Sequence, residues 1–494
     1  MNISEKRMAF AHPFFLLWAL LLSLPAGAGS VFNPAVKEAY TETISLRIGE
    51  GRRLLARELQ ENPSNAVALL VANQQDFLTW AVQQNPTTYT GILARQEKRL
   101  QQLSSLKERS AWVGYSIAEV KLQIGLSKLL YGSKLAAAWD IRQAYLQYAE
   151  NARRYPQFLP NRKTLGALQV LIGSVPESYR VFLNIIGMQG DIKTGMANLH
   201  AASSQTNPFQ EEAQLLHALL SHLVNPDTDE NSAESLYLLS KANPDNLLFQ
   251  FVAIHILKKT KKSDLALQVY QRRPVGQQYI AFPYLHHMAG DLYLYKGDFE
   301  RSVKLYQLFL SQHKGLHYLK ASHFKLYLAY WLNQEHNKAE QHYRKISELG
   351  QTDMEEDAYA ARFVKDQEAP NRYLMLARLQ SDGGYYKEAL TVINRMPQAS
   401  SLTEKAEYLY RKARIYHGMD NLLQAKRFYE QAIEASRNTS LYYAPYSALQ
   451  LGYICLEQGQ REIAKAWFDR ALSYKGHEYK NSIDSKAKLA LQAL

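Results

Sequence analysis

Histidine spacing provides the main candidate for metal chemistry in this sequence. His313, His317 and His323 have a spacing that suggests a metal site, because the first two are four residues apart and can share a helix face. Gly315 stands between the first two, and no carboxylate or cysteine is close to them in the sequence. Protein zinc sites usually take three or four ligands from such side chains. We therefore predict no metal site here.

Nucleophilic and acid–base chemistry also lacks suitable residues. Residues 30–199, the only stretch long enough for a separate catalytic domain, contain no histidine and no cysteine. The segment Gly114–Ala118 weakly resembles a hydrolase nucleophile turn, which needs a preceding strand and a histidine partner. Helical sequence flanks it on both sides. Cys455 is the only cysteine, and its expected role is that of a buried small hydrophobe. The sequence predicts no catalytic residue, no cofactor and no enzyme.

A recurring spacing of proline, glycine and a small residue organises much of the chain. Glycine follows proline by fourteen residues, and the small residue comes five later. Proline suits the first turn of a helix, where its missing N–H would have no partner. Glycine permits the left-handed turn that ends the helix. The spacing predicts repeated helix–turn–helix units at Pro176–Gly190–Gly195, Pro283–Gly297–Ser302, Pro370–Gly384–Ala389 and Pro445–Gly459–Ala464.

The small position also identifies second helices in units that lack proline. Residues four and seven positions after it are mostly apolar, which places all three on one helical face. Arg273 is a misfit, and Pro274 predicts an early end of that helix. The long step between Ala339 and Ala389 predicts an additional helix near residues 354–369. The small positions are Gly195, Ser232, Ala266, Ser302, Ala339, Ala389, Ala425 and Ala464.

These units resemble the tetratricopeptide repeat family, whose period is about 34 residues. The resemblance rests on AEYLYRKARIYHGMDNLLQAKRFYEQAIEA from Ala406, PYSALQLGYICLEQGQREIAKAWFDRAL from Pro445 and PYLHHMAGDLYLYKGDFERSVKLYQLFL from Pro283. It implies an all-α fold, a right-handed α-solenoid of helix–turn–helix repeats. Leu489, Leu491 and Leu494 fit a helix that caps the last repeat.

The N-terminus has the three parts of a secretory signal peptide. Lys6 and Arg7 precede the apolar run Phe14–Leu24, and small residues follow up to Ala28. The run is shorter than the roughly 20 residues of a membrane span. We expect cleavage after Ala28 and export to the periplasm or envelope of a bacterial cell, with an uncleaved anchor as the alternative. The expected divisions are a signal peptide (1–28), an N-terminal helical region with degenerate repeats (29–165), the solenoid (166–480) and a capping helix (481–494).

The resemblance implies that the function is binding. In this family the first helix of each repeat lines a concave groove that receives a peptide, so we expect a scaffold or adaptor for a protein or peptide partner. Carrying the inward positions over to this chain names His255, Tyr284, His287, Asp291, Arg378, Tyr410, Arg414 and Tyr453. The alternative is a small-ligand or glycan-binding surface protein, which would need a closed pocket of converging polar groups.

The net charge indicates which chemical class of partner to expect. The net charge of +12 favours an acidic partner segment or an anionic envelope surface. A nucleic-acid partner would call for basic residues interleaved with aromatic ones along one stripe. The inward positions named above would make the groove aromatic but only mildly basic, and an export signal would separate the chain from the nucleic acid of its cell. We therefore predict no nucleic-acid partner.

Overall fold

Helices account for the regular structure of the residues that the computed structural model describes, which are 31–175, 183–224, 230–366, 370–437 and 439–494. The predicted all-α fold class is confirmed. The predicted signal peptide, Pro176 and residues 367–369 of the predicted extra helix lie outside this described part. In chain order the helices are α1 (Pro34–Ile44), α2 (Ile48–Glu61), α3 (Ala66–Gln83), α4 (Pro86–Ser105), α5 (Ala111–Leu130), α6 (Lys134–Arg154), α7 (Leu159–Gly173), α8 (Ile192–Ser204), α9 (Gln210–Val224), α10 (Glu230–Ala242), α11 (Leu247–Lys259), α12 (Ser263–Arg272), α13 (Tyr284–Lys296), α14 (Phe299–Gln312), α15 (Leu319–Leu332), α16 (His336–Glu348), α17 (Glu355–Asp366), α18 (Arg372–Asp382), α19 (Tyr386–Asn394), α20 (Leu402–Gly418), α21 (Leu422–Ser436), α22 (Tyr443–Glu457), α23 (Arg461–Ser473) and α24 (Lys480–Ala493).

Successive helices from α7 onward pack as pairs, and the small positions lie where the two helices of a pair meet. All eight predicted small residues are buried, each on the second helix of its pair. The approach is close. A Cβ on Gly195 would lie 2.6 Å from the carbonyl oxygen of Gly166 on α7. On α14, Ser302 Oγ donates to the carbonyl oxygen of Gly290 at 2.9 Å. The predicted register is confirmed, and α12 ends at Arg272, as Pro274 predicts.

Three of the four turn glycines adopt the left-handed conformation that the spacing predicts. The φ angles of Gly297, Gly384 and Gly459 are +82°, +84° and +73°. Gly190 is needed for a different reason, because a Cβ there would lie 2.3 Å from the backbone nitrogen of Gly173. That glycine permits close backbone approach and not a left-handed turn.

The N-terminal helices belong to the same core as the middle repeats. A continuous apolar cluster extends from Val36 to Met354, and α3 and α5 are buried along most of their length. Hydrogen bonds join the ends of this region across more than 180 residues. The backbone N–H of Ile280 donates to the carbonyl oxygen of Leu46 at 3.0 Å, and a His317 ring nitrogen lies 3.4 Å from the carbonyl oxygen of Leu130. The solenoid therefore curls until its beginning contacts its middle.

Two further helices complete the chain. The predicted extra helix is present as α17, which packs against α15 and α16. The last helix, α24, packs on α22 and α23 through buried Ile483 and Ala487. Leu491 and Leu494 are partly buried in the same cluster, whereas Leu489 is half exposed and contributes little.

Candidate functional site

The eight predicted groove residues all lie on first helices, but they fall into two groups with different exposure. His255, Tyr284, His287 and Asp291 lie on α11 and α13 and are buried. The other four lie on α18, α20 and α22. Of these, Tyr410 is buried, whereas Arg378, Arg414 and Tyr453 are partly exposed. The prediction of an open groove therefore does not describe the first group, because a side chain without exposed surface cannot contact a partner.

The first group belongs to a buried charge network formed by Lys258, Asp291, Lys325 and Glu356. Asp291 pairs with Lys258 of α11 through one carboxylate oxygen and with Lys325 of α15 through the other, at 2.7 Å. Lys325 also pairs with Glu356 of α17. The hydroxyl of Tyr306 donates to Asp291 at 2.6 Å. Burial raises the pKa of the Asp291 carboxyl, but the two ammonium groups lower it further, so the pKa lies below its ordinary value.

The same network contains three side chains that resemble a metal site. Ligand atoms of His287, Asp291 and Glu356 lie within 4.8 Å of one another. The ammonium groups of Lys258 and Lys325 already neutralise the two carboxylates. A divalent cation would have to displace them, so the donor set does not suit a metal. Of the three histidines considered from the sequence, His313 and His317 lie close together, but His323 lies against His342 and a ring nitrogen of His317 lies beside the carbonyl oxygen of Leu130.

The inserted helix α17 contributes to the burial of the first group through its contact with His287. Its acidic first turn lies on the inner face of α13 and α15, where Glu356 meets Lys325 and a ring nitrogen of His287 at 3.4 Å. Asp357 accepts hydrogen bonds from the backbone N–H groups of Tyr318 at 2.6 Å and Ala321 at 2.9 Å. It thereby caps the N-terminus of α15. Burial raises the pKa of Asp357 to about 7 despite these two bonds.

Two residues of the second group, Arg378 and Arg414, belong to a surface that we call the arginine–tyrosine face. This face is made of Tyr359, Arg378, Arg411, Arg414, Tyr442 and Tyr446. Arg378 of α18 donates to the hydroxyl of Tyr359 at 2.6 Å. Arg411 and Arg414 lie on α20, where Arg411 pairs with Glu407 at 2.9 Å. The guanidinium of Arg414 lies 3.4 Å from the hydroxyl of Tyr410 and 5.9 Å from the ring centroid of Tyr446. The arginines thus come together on neighbouring first helices.

This face brings basic and aromatic residues together from separate helices, and it corrects one predicted position. Tyr453, predicted to lie in the groove, packs edge-on against Phe468 of α23 at 5.4 Å between ring centroids. It therefore points toward its own second helix.

Several residues of the charge network and of the arginine–tyrosine face were not predicted from the sequence, although the repeat spacing indicated some of them. Lys258, Asp291 and Lys325 follow one another at intervals of 33 and 34 residues, one per repeat, with alternating charge. Extending the repeat register from Asp291 to its neighbours would have found both lysines. Nothing comparable marks Glu356 or Tyr359, because α17 stands outside the repeat.

The cleft of greatest interest on the surface does not suit a small ligand. This cleft of about 1010 Å³ lies where the turns of neighbouring pairs meet, and its lining includes Asp264, Lys296 and Arg301. None of the eight predicted residues lines it. Its walls are open and mostly polar, unlike the closed pocket that a small-ligand protein needs.

A comparison with known protein families finds a match in the C-terminal helix pairs. Residues 406–439 and 446–477, which cover most of α20–α21 and of α22–α23, match the tetratricopeptide repeat. These two pairs carry the family's pattern. No curated protein sequence matches the chain. Within the described residues, no helix has the length and hydrophobicity that a membrane span requires.

Solved structures with a similar arrangement are distant. A monomeric mutant of IFIT1 bound to Gppp-AAAA is 13% identical, covers 93% of this chain and 94% of its own, and has a TM-score of 0.35. The tetratricopeptide domain of P58(IPK) is 13% identical over 83% of this chain and 99% of its own, with a TM-score of 0.23. Yeast Tom70 is 12% identical over 92% and 88%, also with a TM-score of 0.23. Likeness at this level does not extend to what those proteins bind.

Proposed function

We propose that this protein is a non-enzymatic scaffold that binds a polypeptide segment along the arginine–tyrosine face of its C-terminal repeats. The observation that supports the proposal is the partial exposure of Arg378 and Arg414 on neighbouring first helices, among tyrosine rings. Arginine and tyrosine are frequent anchors of protein interfaces, because each combines a large contact area with hydrogen bonding.

The site belongs to the C-terminal half because α17 already covers the inner face of α13 and α15. A partner there would have to displace Glu356 from Lys325 and leave buried charge unpaired. Beyond α17, the first helices α18, α20 and α22 are neighbours, and α24 packs against α22 and α23 at their end. A segment running across these three helices would contact one repeat after another.

The proposed compartment is the cell envelope. Support comes from the charged, apolar and small-residue parts of the N-terminal sequence before Gly29. N-terminal sequencing of the protein purified from its own cells tests this. A mature chain that begins at or near Gly29 supports export, and one that begins at Met1 or Asn2 refutes cleavage.

Site-specific photo-crosslinking tests the binding function. A photoreactive phenylalanine analogue replaces Tyr446 on the inner face, and in a second variant it replaces Lys465, an exposed residue on the outer side of α23. After irradiation of cells, mass spectrometry identifies the crosslinked products. We expect one polypeptide to be crosslinked from position 446 and absent from the products at 465. Equal products at both positions, or none at 446, would refute the proposal.

A further inference from the structure

We propose that the arginine–tyrosine face recognises an acidic stretch of its polypeptide partner, with carboxylates of that stretch accepting hydrogen bonds from the guanidinium groups of the partly exposed Arg378 and Arg414. This inference rests on the proposed scaffold function and specifies the chemistry of the segment bound.

Charge on the face supports an acidic segment. The three guanidinium groups have two carboxylates near them, Asp382 at 3.8 Å from Arg378 and Glu407 at 2.9 Å from Arg411. Among the described residues Arg414 makes no ion pair, and its polar contact is the hydroxyl of Tyr410. A guanidinium carries five N–H donors and binds a carboxylate through two parallel bonds. The face therefore has positive charge and donors beyond those that its own acceptors use.

The side chain of Arg378 has enough exposed surface to contact a bound peptide. The side chain of Arg378 is 29% exposed, although it lies among Tyr359, Tyr442 and Arg411. A charge held in such a recess is screened less by salt than one on an open surface. Each ion pair formed there contributes more to affinity than an ordinary surface pair does.

The protein contains an example of the recognition that we propose. The first turn of α17 is acidic, and it lies against Lys325 and His287 on the inner face of α13 and α15. An acidic segment of the chain itself thus occupies the basic inner face of the earlier repeats. The arginine–tyrosine face continues that inner face from α18 onward, with arginine in place of lysine.

The aromatic rings distinguish a peptide from single-stranded nucleic acid. Nucleic-acid grooves expose aromatic faces on which bases stack. Here guanidinium groups lie over those faces, with Arg378 at 5.1 Å from the centroid of Tyr359 and Arg414 at 5.9 Å from that of Tyr446. The ring of Tyr410 packs edge-on against that of Tyr442, at 5.5 Å between ring centroids. Each of these arginines occupies one face of its neighbouring ring, so the exposed guanidinium donors are the recognition groups that favour carboxylates over bases.

Fluorescence anisotropy with a labelled hexaglutamate peptide tests the proposal on the full chain. The variant Arg378→Gln/Arg414→Gln removes two charges from the face, and Arg427→Gln/Arg437→Gln removes two from the exposed side of α21 as a control. Circular dichroism melting checks that both variants stay folded. We expect the first variant to bind about tenfold more weakly or worse, and the control to bind within about twofold of the parent. Added salt should weaken the binding of the parent.

Three outcomes would overturn the acidic-segment proposal. Hexaglutamate could bind both double variants equally, inorganic phosphate could compete as well as the peptide does, or a labelled hexauridylate could bind more tightly and depend on the same two arginines. Repeating the crosslinking from position 446 in the Arg378→Gln/Arg414→Gln variant separates this proposal from the scaffold function. A polypeptide that is still crosslinked there at the parental level leaves the scaffold intact and refutes acidic recognition. If the parent itself gives no polypeptide product, both proposals fail.

Discussion

Replacing Asp291 by asparagine should lower the local stability of the middle of the solenoid without changing its fold. Asp291 has no exposed surface, and its two oxygens pair with Lys258 and Lys325. Asparagine keeps the size of the side chain but removes the charge. Two buried lysines would then share one carboxylate, that of Glu356.

The size of the effect follows from the cost of a buried charge without its partner, about 3–5 kcal/mol. Glu356 remains and keeps 36% of its side-chain surface exposed, so water can help to compensate the lysines. We therefore expect the lower end, about 3 kcal/mol, which corresponds to roughly a hundredfold change in an opening equilibrium. Because the ion pairs lower the pKa of Asp291, their stabilisation is present above its ordinary pKa of 3.8 and is lost as the pH falls below it.

Hydrogen exchange measured by mass spectrometry at neutral pH is the suitable assay, because each pair of a solenoid contacts mainly its neighbours. Peptides from α13 and α15 should lose about a hundredfold in protection, while those from α20 to α23 stay unchanged. Glu300→Gln is the control, since Glu300 forms an exposed pair with Lys304 whose loss should leave the exchange nearly unchanged. Asp291→Asn/Lys325→Met restores the charge balance and should recover much of the protection. If Asp291→Asn exchanges like the parent, the network does not stabilise this region.

Three further predictions concern single sites. Ala464→Leu should lower stability by about 1–3 kcal/mol by overpacking a fully buried contact, whereas Ala466→Leu, on the exposed side of the same helix, should have little effect in urea unfolding. Burial raises the pKa of Glu212 to about 7 although Lys163 lies 3.0 Å away, so the contribution of Glu212 to stability should fall as the pH rises from about 4.5 to 7. Glu212→Gln should flatten that dependence, and an unchanged slope would contradict the assignment. Burial also raises the pKa of the Cys455 thiol, so iodoacetamide should label it only after unfolding, and rapid labelling of the native protein would show that it is accessible.

The sequence by itself determined the helical repeat. Small residues such as Ala425 and Ala464, with apolar residues four and seven positions later, specify one face of a helix whatever lies elsewhere in the chain. Glycines such as Gly297 and Gly459 specify the left-handed turn in the same local way. These features depend on the geometry of one or two helical turns, so their spacing can be read directly.

Only the tertiary structure decided which inward positions remain available to a partner. His287 and Asp291 occupy the predicted positions, but α17 covers them, and Tyr453 turns toward Phe468. Arg378 meets Tyr359 through a helix that interrupts the repeat, so no period in the sequence relates the two. The physical reason is that the contacts of an inserted helix depend on how the whole solenoid curves. That curvature is the sum of small rotations between many pairs, which no single repeat specifies.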